Sequence, residues 1–238
     1  MGGNILSGKR KDNISIEQIC CIKAFKNLEK DTQQKILSIC ESHVYKKGQI
    51  LFLEKDQVNV FYAILSGKVA MSRYSGWGQK RIFFILGVGE LINEVVFDDL
   101  PVSVVCEVFE NATILKFRKK DFLNIMKEDF TLTLNIMNSI GRKQRRLYRQ
   151  LKNTVPIKMD KKLAAKLWKL SRDYGIQRDE WIQINLKITV THLSYMLGSS
   201  RETISRAMTI LIEAGIIKWQ GKQLLVREEK LLQYYRNP

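Results

Sequence analysis

The chain has 238 residues, 45% of them hydrophobic and only three of them proline, which is enough to bury one large core or two modest ones and excludes a disordered chain. Forty Lys and Arg stand against 24 Asp and Glu, a formal charge of +16 whose field concentrates polyanions, so nucleic acid or an anionic surface is the expected partner. No apolar run reaches the ~18 residues of a membrane span, and the N-terminal MGGNILSGKRK lacks the apolar core of a secretory signal. The expected location is therefore the cytosol, where Cys20, Cys21, Cys40 and Cys106 are free thiols.

Residues 14–43 carry helical spacing, with Ile16, Ile19, Ile22, Phe25, Ile36 and Ile39 on one face and Asp31 placed to cap a second helix. From Tyr45 to Phe117 short β-branched runs (50–53, 60–65, 68–73, 80–86, 102–108 and 112–117) alternate with breaks at Gly48, Gly67, Gly76–Gly78 and Gly87–Gly89. Many short strands with glycine punctuation predict a small antiparallel barrel or roll. Helical spacing returns at Phe122, Ile125 and Met126. It continues through a long segment from Phe130 to Asn153 whose seam of Met137, Ile140, Leu147 and Leu151 needs a partner, most simply a second copy of the chain. Arg142, Lys143, Arg145, Arg146, Arg149, Lys152 and Lys158 form an acid-free run, read either as a solvated face or as support for an anion. Pro156 marks a hinge.

Beyond it come a helix over 160–174, a strand over 181–186, two short helices and a hairpin over 215–226 with Gln220-Gly221 at its turn. The informative stretch is TVTHLSYMLGSSRETISRAMTIL, residues 189–211. Its first helix turns Leu193, Met196 and Leu197 inward and ends at Gly198. Ser199 or Ser200 then caps a second helix that buries Ile204, Met208, Leu211 and Ile212. Arg201, Glu202, Ser205 and Arg206 are left facing outward at the start of that helix, where a helix-turn-helix meets base edges. Arginine can donate twice to guanine, glutamate can accept from cytosine and serine can contact either kind of base. A carboxylate gains nothing beside phosphates, so Glu202 speaks for reading rather than gripping. No Ser/His/Asp grouping, phosphate loop, HExxH or CxxC is present, and an enzyme is not expected.

RETISR at 201–206, with KGQILF at 47–52, FYAIL-SGKV at 61–69 and Gly89-Glu90-Leu91, resembles the cyclic-AMP receptor protein and fumarate-nitrate regulator family over nearly the whole chain. The resemblance implies an α+β fold: helices and a cyclic-nucleotide-binding-like β-roll (1–119), a dimerisation helix (120–155) and a winged helix-turn-helix (156–238). It further implies a homodimer on a palindromic double-stranded site, RNA polymerase as a partner, and phosphate contacts at Thr189, Thr191, Ser200, Thr203 and Lys222. Arg201 matches one branch of the family and Ser205 the other, so TGTGA-like and TTGA-like half-sites both stay open, with centres about 10–11 base pairs apart.

The roll departs from the family. By that comparison its effector pocket would include Gly89, Glu90, Val102, Ser103 and Arg149, but Val102 stands where cyclic-AMP binders hold the phosphate with an arginine. Arg149-Gln150 replaces a Thr-Ser pair that meets adenine. A buried phosphate without its cation loses a charge-assisted bond, which argues against cyclic AMP. An iron-sulfur cluster is also disfavoured, because Cys20 and Cys21 are adjacent and no cysteine lies near Leu115. Cys20, Cys21 and Cys40 share one helical region, which keeps a thiol-responsive regulator open beside a constitutive one. No cofactor is named by the sequence.

Overall fold

The computed structural model describes residues 9–10, 14–75, 79–152 and 158–236. The glycine break at 76–78 and the hinge at Pro156 fall outside them, as does the side chain of Leu151. The chain divides into two compact units, Met1–Arg73 with Ile82–Thr154, and Tyr74–Arg81 with Val155–Pro238.

In the first unit, strand β1 (Lys9–Arg10) is followed by α1 (Ile16–Cys20), a 3-10 turn at Lys23–Phe25 and α2 (Lys30–Ile39). Ser15 caps α1 in a reciprocal box with Gln18. Glu29, not Asp31, occupies the cap position of α2, and Asp31 pairs instead with Lys35 one turn on. The helical region ends at Ile39, since β2 (Glu41–Tyr45) already pairs with the sheet.

The sheet adds β3 (Ile50–Phe52), β4 (Val60–Tyr74), β5 (Lys80–Leu86), β6 (Leu91–Ile92) and β7 (Val105–Arg118) in the order β1-β2-β7-β4-β5, with β3 on β7 and β6 on β4. The expected pairs of short strands on either side of Gly67, and again around 109–111, are single long strands. Their ladder shifts register between Ile64 and Val69. Gly67 makes the shift possible. Its φ is +76°, and a Cβ there would lie 2.1 Å from the Asn111 carbonyl oxygen, closer than any side chain tolerates. Lys68 and Glu110 close the bulge with an ion pair of 2.7 Å.

Alternation along β4 and β7 feeds two cores. Phe61, Ala63, Leu115 and Phe117 pack with Phe25, Ile36 and Phe122 under the helices. Tyr62, Ile64 and Ile114 pack with Phe52, Leu86 and Val102 inside the roll.

Helix α3 (Lys119–Glu128) leads into α4 (Phe130–Lys152). Asp129 starts α4 by accepting from the Leu132 amide (2.9 Å), and its other oxygen accepts from the Thr32 hydroxyl (2.6 Å). The inner face of α4 carries Leu132, Ile136 and Ser139, all buried, with Ile140 packed against the first core. Ile140 therefore leaves the expected outer seam. That seam is instead Phe130, Leu134, Met137 and Tyr148, which are 74%, 45%, 59% and 60% exposed, while Leu147, expected with them, falls on the Ile136–Ile140 side of the helix.

The second unit contains α5 (Met159–Tyr174), β8 (Gly175–Arg178), β9 (Trp181–Ile184), α6 (Val190–Leu197), α7 (Arg201–Glu213), β10 (Ile217–Gln220), β11 (Gln223–Val226) and α8 (Glu228–Arg236). Its sheet runs β10-β11-β9-β8, all antiparallel. The core gathers Leu163 and Leu167, Ile184, Leu193, Ile204, Leu211, Leu224 and Leu231, each less than 2% exposed. Among the described residues no helix is long and apolar enough to cross a membrane.

Candidate DNA-reading site and sensor cleft

Two short helices meet at a tight turn because each end is capped. The Thr189 hydroxyl accepts from the His192 amide (3.2 Å), while the Thr189 amide donates to His192 Nδ1 (3.2 Å), a reciprocal box that starts α6. Gly198 ends α6 in the left-handed region at φ +63°. Ser200, of the two serines, starts α7 by accepting from the Thr203 amide at 3.1 Å, and its hydroxyl also meets that of Thr203 at 2.8 Å. Ile204, Ala207, Met208 and Leu211 bury the inner face of α7. Ile212, expected inside, is 41% exposed. Its place in the core belongs to Ala207, one turn before Leu211 in the i, i+3, i+4 row.

Arg201, Glu202, Ser205 and Arg206 are all exposed on the opposite face. Within that face Arg206 Nη2 donates to Glu202 Oε1 at 2.5 Å, so the carboxylate holds the guanidinium along the helix. Thr189 is exposed at the cap of α6, and Thr191 and Thr203 are half-buried. Lys222 is exposed in the two-residue turn of the β10–β11 hairpin. The turn is Gly221-Lys222 rather than Gln220-Gly221, since Gln220 pairs with Gln223; only Gly221 has positive φ, +59°. The hairpin is pinned to the sheet by Trp181, over which Lys218 Nζ sits at 4.2 Å and the Arg227 guanidinium at 4.6 Å.

In the roll, Gly89 is left-handed at φ +80°, and a Cβ there would meet the Cys21 carbonyl oxygen at 2.7 Å. Its own carbonyl accepts from the Lys23 amide (2.9 Å), tying the loop to the N-terminal helices. Glu90 accepts from the Gly87 amide (2.8 Å) and faces Arg146 at 3.4 Å. These two residues line a cavity of about 180 Å³ between that loop, the 3-10 turn and α4. Val102, Ser103 and Arg149 do not line this cavity. Val102 fills the roll's core, where its amide donates to the Asp56 carbonyl (3.0 Å), and Ser103 and Arg149 are exposed. The basic run of α4 is partly consumed within the unit. Lys143 pairs with buried Glu94, and Arg146 packs over Phe84, 4.9 Å from the ring centre.

Cys21 is exposed, whereas Cys20 and Cys40 are half-buried. Burial pushes the Cys40 thiol up to about 11 and the buried Cys106 thiol higher still. Among the described residues no three His, Cys, Asp or Glu side chains are grouped to hold a metal ion.

Residues 42–129 match the model of the cyclic nucleotide-binding domain, and residues 161–235 match that of the Crp-like helix-turn-helix domain. The chain belongs to the cyclic-AMP receptor protein and fumarate-nitrate regulator family. The cyclic AMP receptor protein of Thermus thermophilus is 26% identical over 88% of this chain and 94% of its own length. A CRP-like cAMP-activated global transcriptional regulator of Mycobacterium tuberculosis is 21% identical, over 79% and 84%. The fold matches that of a CooA mutant from Carboxydothermus hydrogenoformans with a TM-score of 0.76 at 20% identity, over 95% of this chain and 98% of that one. The protein is thus a transcription regulator with a helix-turn-helix DNA-binding domain, in a family of non-enzymes.

Sequence reasoning missed three parts of this regulator. Strand β8 is exposed at every position and so carries no burial pattern. Helix α8 fixes itself through Leu231, with Glu228 and Glu229 in its first turn as the one signal that could have found it. The third is Lys23, which reaches the cavity from a turn more than sixty residues before Gly89.

Proposed function

We propose that the regulator works as a homodimer that reads a palindromic DNA site through Arg201, Glu202, Ser205 and Arg206, in response to a signal other than cyclic AMP. The observation that carries the reading is the exposed face at the start of α7, where Glu202 orients Arg206 and no apolar group intervenes. Two donors and an acceptor in the first turns match the guanine and cytosine edges of the major groove. Thr189, Thr191, Ser200, Thr203 and Lys222 take the phosphate contacts, giving the salt-dependent part of the affinity.

Dimerisation is supported by α4. Phe130, Leu134, Met137 and Tyr148 centre about 145° around the helix from Leu132 and Ile136, at 100° per residue, so one face serves the unit's own core and the other is left for a second copy. The domains implied are 1–119, 120–155 and 156–238, with RNA polymerase as the downstream partner.

Against cyclic AMP stand the apolar Val102 at the phosphate position and Gln150, whose side chain donates to the Phe83 carbonyl (3.0 Å) where relatives would meet the base. A thiol-responsive reading draws on exposed Cys21, whose carbonyl abuts Gly89. The deciding experiment selects bound sequences from random DNA, with and without cyclic AMP and with thiols reduced or oxidised. A TGTGA-like or TTGA-like inverted repeat recovered without cyclic AMP is the expected result, and absence of any enriched repeat would overturn the reading.

A further inference from the structure

The cavity between the Gly87–Leu91 loop and α4 holds an unbalanced set of charges. Lys23, Arg142, Lys143 and Arg146 line it together with Glu90, and Glu94 lies buried behind Lys143. Glu94 is fully accounted for: one oxygen accepts from the Ser139 hydroxyl (2.8 Å) and the other from Lys143, whose ammonium also donates to the Leu91 carbonyl (2.6 Å). Glu90 spends one oxygen on the Gly87 amide and offers the other to Arg146 at 3.4 Å, a long contact. Among the described residues neither Lys23 nor Arg142 is paired with a carboxylate. Two exposed cations are thus left uncompensated around a concave site whose lining holds four basic side chains against one carboxylate, which focuses a positive field.

We propose that this cavity binds a compact multivalent oxyanion, of the size of inorganic phosphate or a four-carbon dicarboxylate, held by Lys23 and Arg142 with help from Arg146. The volume of about 180 Å³ is too small for a nucleotide. The site lies outside the roll interior, which Phe52, Tyr62 and Val102 fill. An incoming anion competes with Glu90 for Arg146, and so loosens an ion pair that joins the Gly89-Glu90 loop to the proposed dimerisation helix. This names the ligand class for the sensor reading above and rests on it only for the consequence, not for the binding.

Binding is measured directly on the full-length protein, without DNA, by calorimetry and thermal shift with sodium phosphate and with sodium succinate. Each titration is matched in ionic strength by sodium chloride. Saturable binding of one or both is expected, and the preferred anion identifies the source. The K23Q/R142Q double variant weakens it roughly tenfold or more, because two charge-assisted bonds are lost. The R145Q variant, altered at an exposed α4 arginine outside the cavity, keeps it, and E90Q strengthens it by removing the competing carboxylate. The proposal is overturned if neither anion exceeds the chloride control, or if K23Q/R142Q binds as the wild type does. The latter would place the anion elsewhere on the basic surface, and either failure leaves the sequence-selection result untouched.

Discussion

Replacing Arg206 by alanine separates reading from gripping. The side chain is exposed and its partner Glu202 lies one turn back on the same helix, so the pair contributes only about 0.3–0.5 kcal/mol to folding. The variant should therefore melt within about two degrees of the wild type. On the selected site the loss of a bidentate guanine contact costs about 1–3 kcal/mol, roughly 5- to 150-fold in Kd. The loss should shrink on a site whose contacted guanine has been replaced, and random DNA should bind as before. The salt dependence gives an independent readout. Each phosphate neutralised adds about 0.9 to the slope of log affinity against log salt, so a base-reading arginine leaves the slope nearly unchanged. Fluorescence anisotropy on the three DNAs at several salt concentrations measures all of this. Equal weakening on selected and random DNA, with the slope falling by about 0.9, would show that Arg206 grips phosphate and would refute the assignment.

Four further outcomes follow from the geometry. Thr189→Ala removes the cap of α6, costing about 1 kcal/mol, and speeds hydrogen exchange of the His192 amide, while Thr189→Ser restores both. Gly67→Ala forces a Cβ into the Asn111 carbonyl and a left-handed alanine, so its urea midpoint should fall by an amount equivalent to about 2 kcal/mol or more. Leu134→Glu places a charge in the outer stripe of α4 without touching its buried face, and sedimentation should report a folded monomer. The fourth concerns pH. The Cys40 thiol is raised above its ordinary value of 9.0 to about 11, so the folded state disfavours its thiolate. The stability it contributes is complete below about pH 9 and is lost as the pH rises through about 11. Alkylation at pH 8, followed by mass spectrometry, should accordingly label exposed Cys21 well before Cys40 or Cys106.

The reading helix was legible because its signals are local. A serine cap, an apolar row at three and four residues and an outward charged face all lie within thirteen residues. The errors came where local rules compete with long-range ones. Gly67 has the φ of a turn, yet the cross-strand ladder carries the chain through it as a bulge. Ile140 fits the outer seam by spacing but is drawn inward by the apolar surface beneath α4, and Ala207 takes the buried place assigned to Ile212. Val102 falls at a pocket position by resemblance to the family, whereas its neighbours in space make it core. The charge balance of the cavity depends on Lys23 meeting Arg142, a juxtaposition that no sequence period encodes.

Because β4 and β7 present one side to the helices and the other to the roll's interior, neither core owns its walls. Cutting away the residues before Glu41 would strip Phe25 and Ile36 from Phe61, Leu115 and Phe117, uncovering aromatic surface on strands whose reverse sides still hold Tyr62 and Ile114 in place. The first unit should therefore melt in a single step and resist trimming into smaller soluble fragments. An expression boundary drawn at the start of the nucleotide-binding homology, residue 42, would yield aggregates rather than an isolated roll.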